Sequence, residues 1–292
     1  MAEVAMDSKS ATRLAIDPIR PGRIMQSADP ISHGAPPSDP LALYRDEGRR
    51  NHMSRKTLTG KRIAITGGAH GIGRETASAF LAEGADLVIG DVDVGAVRAV
   101  ADHLGRSRDG TVVGLALDVT DSARFGSFLT YAERRLGGLD VLVNAADVMP
   151  SGPFLAESAA ESDRQIDINL RAVIIGTRLA AERFASQGHG QIVNIGTAGG
   201  VTAALGVAVY CATKHGVVGL GAALDQELSG KGVTVSTVAS GSLEDPAAVA
   251  DSVVDCVLHG RGGLISVPPT SFLRAALRPP GRVRRVFTRN GE

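Results

Sequence analysis

The chain has 292 residues, and its 31 Lys plus Arg balance 31 Asp plus Glu, so no net charge draws it toward nucleic acid or an anionic membrane. Two cysteines, Cys211 and Cys256, and seven histidines fall at spacings that suit neither a disulfide framework nor a metal site, so no metal and a reducing, cytoplasmic compartment are expected. No apolar run is long enough to cross a bilayer or to form a signal peptide.

Residues 1–52 hold six of the 13 prolines and lack both strand and helix periodicity, the pattern of a disordered extension outside the fold. From Lys61 onward, apolar β-type runs alternate with helical segments. Strands are expected at Arg62–Thr66, Asp86–Asp91, Thr111–Ala116, Val141–Asn144, Gln191–Ile195, Val233–Val238 and Leu264–Val267. Helices are expected between them, including Ile72–Glu83, Asp121–Leu136, Asp163–Ser186, Val207–Ser229 and Pro246–Leu258. Asp245 before Pro246 is a start signal for the last, a capping residue followed by proline at the first helical position. Such alternation with right-handed crossovers predicts the α/β class: a single doubly wound Rossmann-type domain with a seven-stranded parallel sheet, over residues 53–269.

Beyond that domain, residues 270–292 form a basic tail in which six arginines are interspersed with Phe272, Leu273, Leu277, Val283 and Phe287. Weak contact with an anionic membrane surface is one reading, although Pro279-Pro280-Gly281 interrupts an amphipathic helix there. A solvated or subunit-packing tail is favoured. Nucleic-acid binding is not expected, since no recognition motif accompanies the charge.

After the first strand comes Thr66-Gly67-Gly68-Ala69-His70-Gly71-Ile72-Gly73. A glycine-rich turn at a helix start lets the backbone approach a pyrophosphate, which the free N–H groups of the helix N-terminus stabilise. Asp91 closes the second strand, 18 residues after Gly73, where a carboxylate can accept hydrogen bonds from adenosine ribose hydroxyls and would repel a 2′-phosphate. Far downstream stands Tyr210-Cys211-Ala212-Thr213-Lys214. Residues four apart share a helix face, so the Lys214 ammonium can lie near the Tyr210 phenol, favour phenolate and make it a proton donor and acceptor. Cys211 then points away and is expected to be a packed structural thiol.

Together these motifs resemble the short-chain dehydrogenase/reductase family from about Leu58 to Val267. Thr66, Gly67, Gly71 and Gly73 match the family's T-G-x-x-x-G-x-G, with Ile72 in the same turn, and Tyr210 and Lys214 match its Y-x-x-x-K. The resemblance implies an oxidoreductase that interconverts a secondary alcohol and a ketone, with Tyr210 as acid/base and Lys214 also binding the nicotinamide ribose. Asp91 falls where the family selects NAD over NADP, with Arg74 and His70 nearby in sequence. Asp118-Val119 resembles the pair that contacts adenine, and Asn144 keeps the first residue of the family's N-N-A-G. Asn169 matches the asparagine that bends its helix and links the lysine to solvent. Thr197, 13 residues before Tyr210, takes the place of the catalytic serine and is expected to orient the substrate oxygen. Family members form homodimers or homotetramers, here through the Asp163 and Val207 helices.

Three departures accompany the match. Asn144-Ala145-Ala146-Asp147 replaces N-N-A-G, and the Asp147 charge is expected beside the cofactor phosphates, where it would weaken dinucleotide binding. The extra methyl of Thr197 narrows the pocket. Ala239-Ser240-Gly241-Ser242-Leu243-Glu244-Asp245 lacks the family's Pro-Gly pair and is too short for a helical lid, so an open pocket is expected. Two function classes therefore stand: a working dehydrogenase, or a catalytically impaired relative that serves as a cofactor-binding or assembly subunit.

Overall fold

The computed structural model describes residues 57–107, 110–197, 205–240 and 245–267. The expected extension at 1–52 and the basic tail at 270–292 lie outside the described residues, as does the 241–244 linker. Seven strands form one parallel sheet: β1 Arg62–Thr66, β2 Asp86–Asp91, β3 Val112–Ala116, β4 Val141–Asn144, β5 Gly190–Thr197, β6 Val233–Ser240 and β7 Gly263–Val267. Their spatial order is β3-β2-β1-β4-β5-β6-β7, so the chain reverses direction across the sheet between β1 and β4. A doubly wound sheet opens a crevice at that switch point, beyond the carboxyl ends of the strands.

The strands are apolar on both faces because both are covered. Ile63 and Ile65 of β1, Leu87 and Ile89 of β2, and Val141 and Val143 of β4 enter one core, where α1 (Gly71–Ala82), α2 (Val94–Ser107) and α7 (Pro246–His259) pack. The alternate residues Ala64, Val88, Leu142 and Ile192 enter the second core beside α3 (Ser122–Leu136) and α5 (Ala172–Gln187). Phe80 anchors the first core and Phe125 and Phe184 the second; each is fully buried and contributes about 2–3 kcal/mol of apolar transfer energy. α6 (Ala208–Leu228) lies against β6 and β5.

The expected elements are present with shifted limits. β3 starts at Val112 because the Thr111 N–H is taken by the Asp86 carboxylate at 2.8 Å. β5 and β6 run further than expected, since Gly196 pairs with Ala239 and Thr197 with Ser240. The helix expected over Asp163–Ser186 is two helices. The first, α4, begins at Ala159, fixed by a capping box in which Ser158 accepts from the Glu161 N–H while the Glu161 carboxylate accepts from the Ser158 N–H. A wide turn of π type at Asp167–Arg171 then separates α4 (Ala159–Ile166) from α5, the kind of local bulge that turns a side chain toward a functional centre. Here that side chain is Asn169, which is fully buried.

Candidate active site

The switch-point crevice is a cavity of about 840 Å³, lined among others by Gly67, His70, Gly71, Ile72, Asp91, Asp118 and Val119. Gly67 holds φ +68°, and a Cβ there would stand 2.7 Å from the Ala146 Cα; a Cβ on Gly73 would strike the Gly67 carbonyl oxygen. These glycines close the turn tightly against the end of β4. His70 caps α1 with extended backbone and makes no side-chain cap, so no side chain competes for the first-turn N–H groups beside the cavity. The room, the glycine turn and the uncapped helix start suit a dinucleotide.

Asp91 is fixed at this wall: its Oδ2 accepts from the Ala69 N–H and its Oδ1 from the Asp93 N–H, both at 3.1 Å. Asp118 Oδ1 accepts from the Thr120 hydroxyl at 2.6 Å and from its N–H at 3.0 Å, and these bonds hold the carboxyl below its ordinary range. Arg74 turns to its neighbour Glu75, with Nη2 2.7 Å and Nε 3.1 Å from Oε1.

Three residues expected to touch the cofactor stand behind the wall instead. Thr66 is buried, and its Oγ1 accepts from the N–H groups of Ala145 and Ala146 at 3.1 and 3.2 Å, tying β1 to the segment after β4. Asn144 points into the interior, donating to Asn194 Oδ1 at 2.9 Å and to Thr177 Oγ1 at 3.3 Å. Gly73 is a packing position, as its lost Cβ space shows. All three shape the turn that Gly67, Gly71 and Ile72 present.

Tyr210 and Lys214 share a face of α6 as the spacing predicts, with Nζ 5.5 Å from the phenol ring centre. The expected direct influence of the ammonium on the phenol is overturned by Asp147. Its Oδ1 lies 3.1 Å from Lys214 Nζ, and its Oδ2 accepts from the Tyr210 hydroxyl at 3.0 Å. Burial first, then the Asp147 charge and its hydrogen bond, push the phenol well above its ordinary 10.0. The Lys214 ammonium is almost fully buried and also donates to the Ile195 carbonyl at 3.1 Å. Asp147 thus faces the catalytic pair that the family motif implies, and it also lines the cavity together with Gly67 and Gly71.

Asn169 Oδ1 accepts from the Val148 N–H at 2.9 Å, and its Nδ2 donates to the Val148 carbonyl at 2.8 Å. Its amide is therefore committed to holding the loop that carries Asp147. Thr197 ends β5 with its backbone beside Ser240, while its side chain lies outside the described residues. Sequence reasoning missed Ile195, which acts through a carbonyl that no side chain advertises, and Val92, Asp163 and Asp167, which also line the cavity. It flagged Asp147 as the residue that replaces the last glycine of the family's N-N-A-G.

The short chain dehydrogenase family model matches residues 61–253. The 2,5-dichloro-2,5-cyclohexadiene-1,4-diol dehydrogenase of Sphingobium indicum is 34% identical over 189 residues, 65% of this chain and 75% of that one. Levodione reductase of Leifsonia aquatica is 34% identical over 191 residues, covering 65% and 72%. A solved short chain dehydrogenase from Mycobacterium smegmatis superposes with a TM-score of 0.69 at 30% identity, covering 73% of this chain and 93% of that one. The chain belongs to the short-chain dehydrogenase/reductase family and is an oxidoreductase.

Proposed function

We propose that residues 53–269 form a cytoplasmic, NAD-dependent dehydrogenase that interconverts a secondary alcohol and a ketone. The observation that carries this reading is the placing of Tyr210 and Lys214 against Asp147 and Ile195, two residues of the cavity wall whose other lining includes Asp91 and the start of α1. In this reading the first turn of α1 stabilises the pyrophosphate and Asp91 receives the adenosine ribose, with Asp118 and Val119 beside the adenine. A bound nicotinamide supplies hydride exchange with the substrate carbon. Tyr210 Oη exchanges the proton at the substrate oxygen, Lys214 holds Asp147 against the phenol and contacts the nicotinamide ribose, and the Thr197 hydroxyl orients that oxygen. Asn169 positions the Val148 loop.

NAD is favoured over NADP because Asp91 would face a 2′-phosphate, and because the Arg74 guanidinium that could offset that charge is bound to Glu75. Homo-oligomers are proposed through the outer faces of α5 and α6, which share an apolar groove that includes Ile174, Ala181, Leu220 and Leu224; sedimentation velocity reads this directly. Among the described residues no helix is long and apolar enough to cross a membrane.

The test of the enzyme reading is NAD(H)-coupled absorbance over a broad panel of secondary alcohols and ketones, beside calorimetric NAD binding. Turnover should vanish in Tyr210→Phe while NAD affinity stays nearly unchanged, because the phenol acts in the transition state. NAD binding without turnover above the Tyr210→Phe background would refute it.

A further inference from the structure

A family motif that ends in glycine ends here in Asp147, and the carboxylate bridges the two groups on which the chemistry depends. Oδ1 is held by the Lys214 ammonium at 3.1 Å, which leaves Oδ2 aimed at the Tyr210 hydroxyl at 3.0 Å. Lys214 is itself fixed from behind by the Ile195 carbonyl, and the segment carrying Asp147 is fixed by Asn169 through Val148. The two charged partners differ in one respect: the Lys214 side chain is 3% exposed and the Asp147 side chain 30%. Asp147 therefore has both a fixed contact with the phenol proton and an opening to solvent.

We propose that Asp147 is a catalytic residue of this chain, the acceptor of the Tyr210 proton during alcohol oxidation and its donor during ketone reduction. The proposal rests on the alcohol–ketone reading above. In oxidation the carbon-bound hydrogen of the substrate leaves as hydride to the oxidised nicotinamide, and the substrate O–H bond breaks as a C=O bond forms. The substrate proton joins Tyr210 Oη while the phenol's own proton crosses to Asp147 Oδ2, so the tyrosine ends neutral and the carboxylate becomes a carboxylic acid. Asp147 then returns that proton to water through its exposed edge, which opens into the cavity, once the products leave. No phenolate needs to be present beforehand.

Magnitudes favour such a route. At the ordinary value of 10.0 a phenol is ionised in only about one molecule in a thousand at pH 7, and burial and the Asp147 charge make the fraction here smaller still. A hydrogen-bonded acceptor removes the need for that rare state. His70, Asp91, Asp118, Asp163, Arg164 and Asp167 line the same cavity, and Cys211 adjoins Tyr210. All of them are present alike in the native chain and in its Asp147 variants.

Two measurements decide the matter. The first needs no substrate: the chain has three tyrosines and no tryptophan, so ultraviolet difference absorbance against Tyr210→Phe isolates the Tyr210 phenol. With Asp147→Asn and Asp147→Gly, Tyr210 should ionise more than about one pH unit lower than in the native chain. The second is NAD-coupled oxidation. Native kcat should stay flat from neutral to mildly alkaline pH, whereas Asp147→Gly should rise roughly tenfold per unit as the phenol itself must ionise. Asp147→Asn should lose at least about tenfold in kcat at neutral pH with NAD affinity within about twofold, and acetate should restore part of the neutral rate to Asp147→Gly.

An unmoved Tyr210 titration, or full neutral turnover in Asp147→Asn, overturns the acceptor role and leaves the enzyme reading intact. Absence of turnover in the native chain, with the titration moved as expected, brings down the alcohol–ketone reading and the acceptor role with it.

Discussion

The Asn169 amide clasps Val148 on both sides of its Cα, accepting from its N–H at 2.9 Å and donating to its carbonyl at 2.8 Å. The clasp joins the π-type turn of Asp167–Arg171 to the segment after β4. Asn169→Leu should strand both Val148 groups in a half-buried setting and lower stability by about 1–3 kcal/mol. Asn169→Asp should be milder, since its carboxylate still accepts the N–H while opposing the carbonyl. Urea melts of the two variants check the order; equal losses would show that the contact accepted from the Val148 N–H contributes nothing.

Asp91 should set the choice of nucleotide. Calorimetry is expected to give tighter binding of NAD than of NADP, and Asp91→Ala should narrow the gap by removing the charge that faces a 2′-phosphate. Equal affinity of the native chain for both nucleotides would remove Asp91 from this role.

A pH-dependent stabilisation is expected at the opposite end of the sheet. Asp140 is buried and holds Arg62 in a two-pronged pair, Oδ1 to Nη2 at 2.7 Å and Oδ2 to Nε at 2.8 Å. Burial opposes the charged form, but the bonds and charge of Arg62 outweigh it and hold the carboxyl below its ordinary 3.8. A lowered folded-state value means stability that is fully present above 3.8 and is lost as pH falls through the folded value. Asp140→Asn should cost about 2 kcal/mol at neutral pH. The gap from the native chain should close in strong acid, where both side chains are neutral; urea midpoints across that range test the sign.

A chain beginning at Met53 should melt like the full-length protein, because residues 1–52 lack the apolar periodicity needed to join a core. A clear fall in Tm on removing them would show that they pack on the domain.

Element type was legible because both cores follow strand alternation and helices carry their own punctuation, as at Asp121, whose carboxylate accepts from two N–H groups at the start of α3. The capping box Ser158–Glu161 was equally open to reading, and it places the start of α4 where apolar periodicity alone is weak. The break at Asp167–Arg171 was less accessible, because a wide turn depends on what Asn169 meets in the third dimension. For the site, residue types and spacing pointed to the glycine turn, Asp91, Tyr210 and Lys214. The partition between residues that face the cavity and residues that brace it was not written in one dimension: Thr66 and Asn144 turn toward Ala145, Ala146 and Asn194, 79, 80 and 50 residues away. Asp147 followed the same rule, since its partners come from a helix 63 residues on.

The pairing of β1 with β4 also dictates an order of events during synthesis. β1 has β2 on one side early, but its other edge waits for β4, and the Arg62–Asp140 clip spans 78 residues. At ordinary ribosomal speed that interval lasts roughly 4–16 s, during which β1 is an open edge able to pair with a neighbouring nascent chain. Until Ala145 and Ala146 reach Thr66 the glycine turn has no floor. A nucleotide can therefore rescue only chains whose translation has passed β4, and slow codons within α3 lengthen the period in which none can.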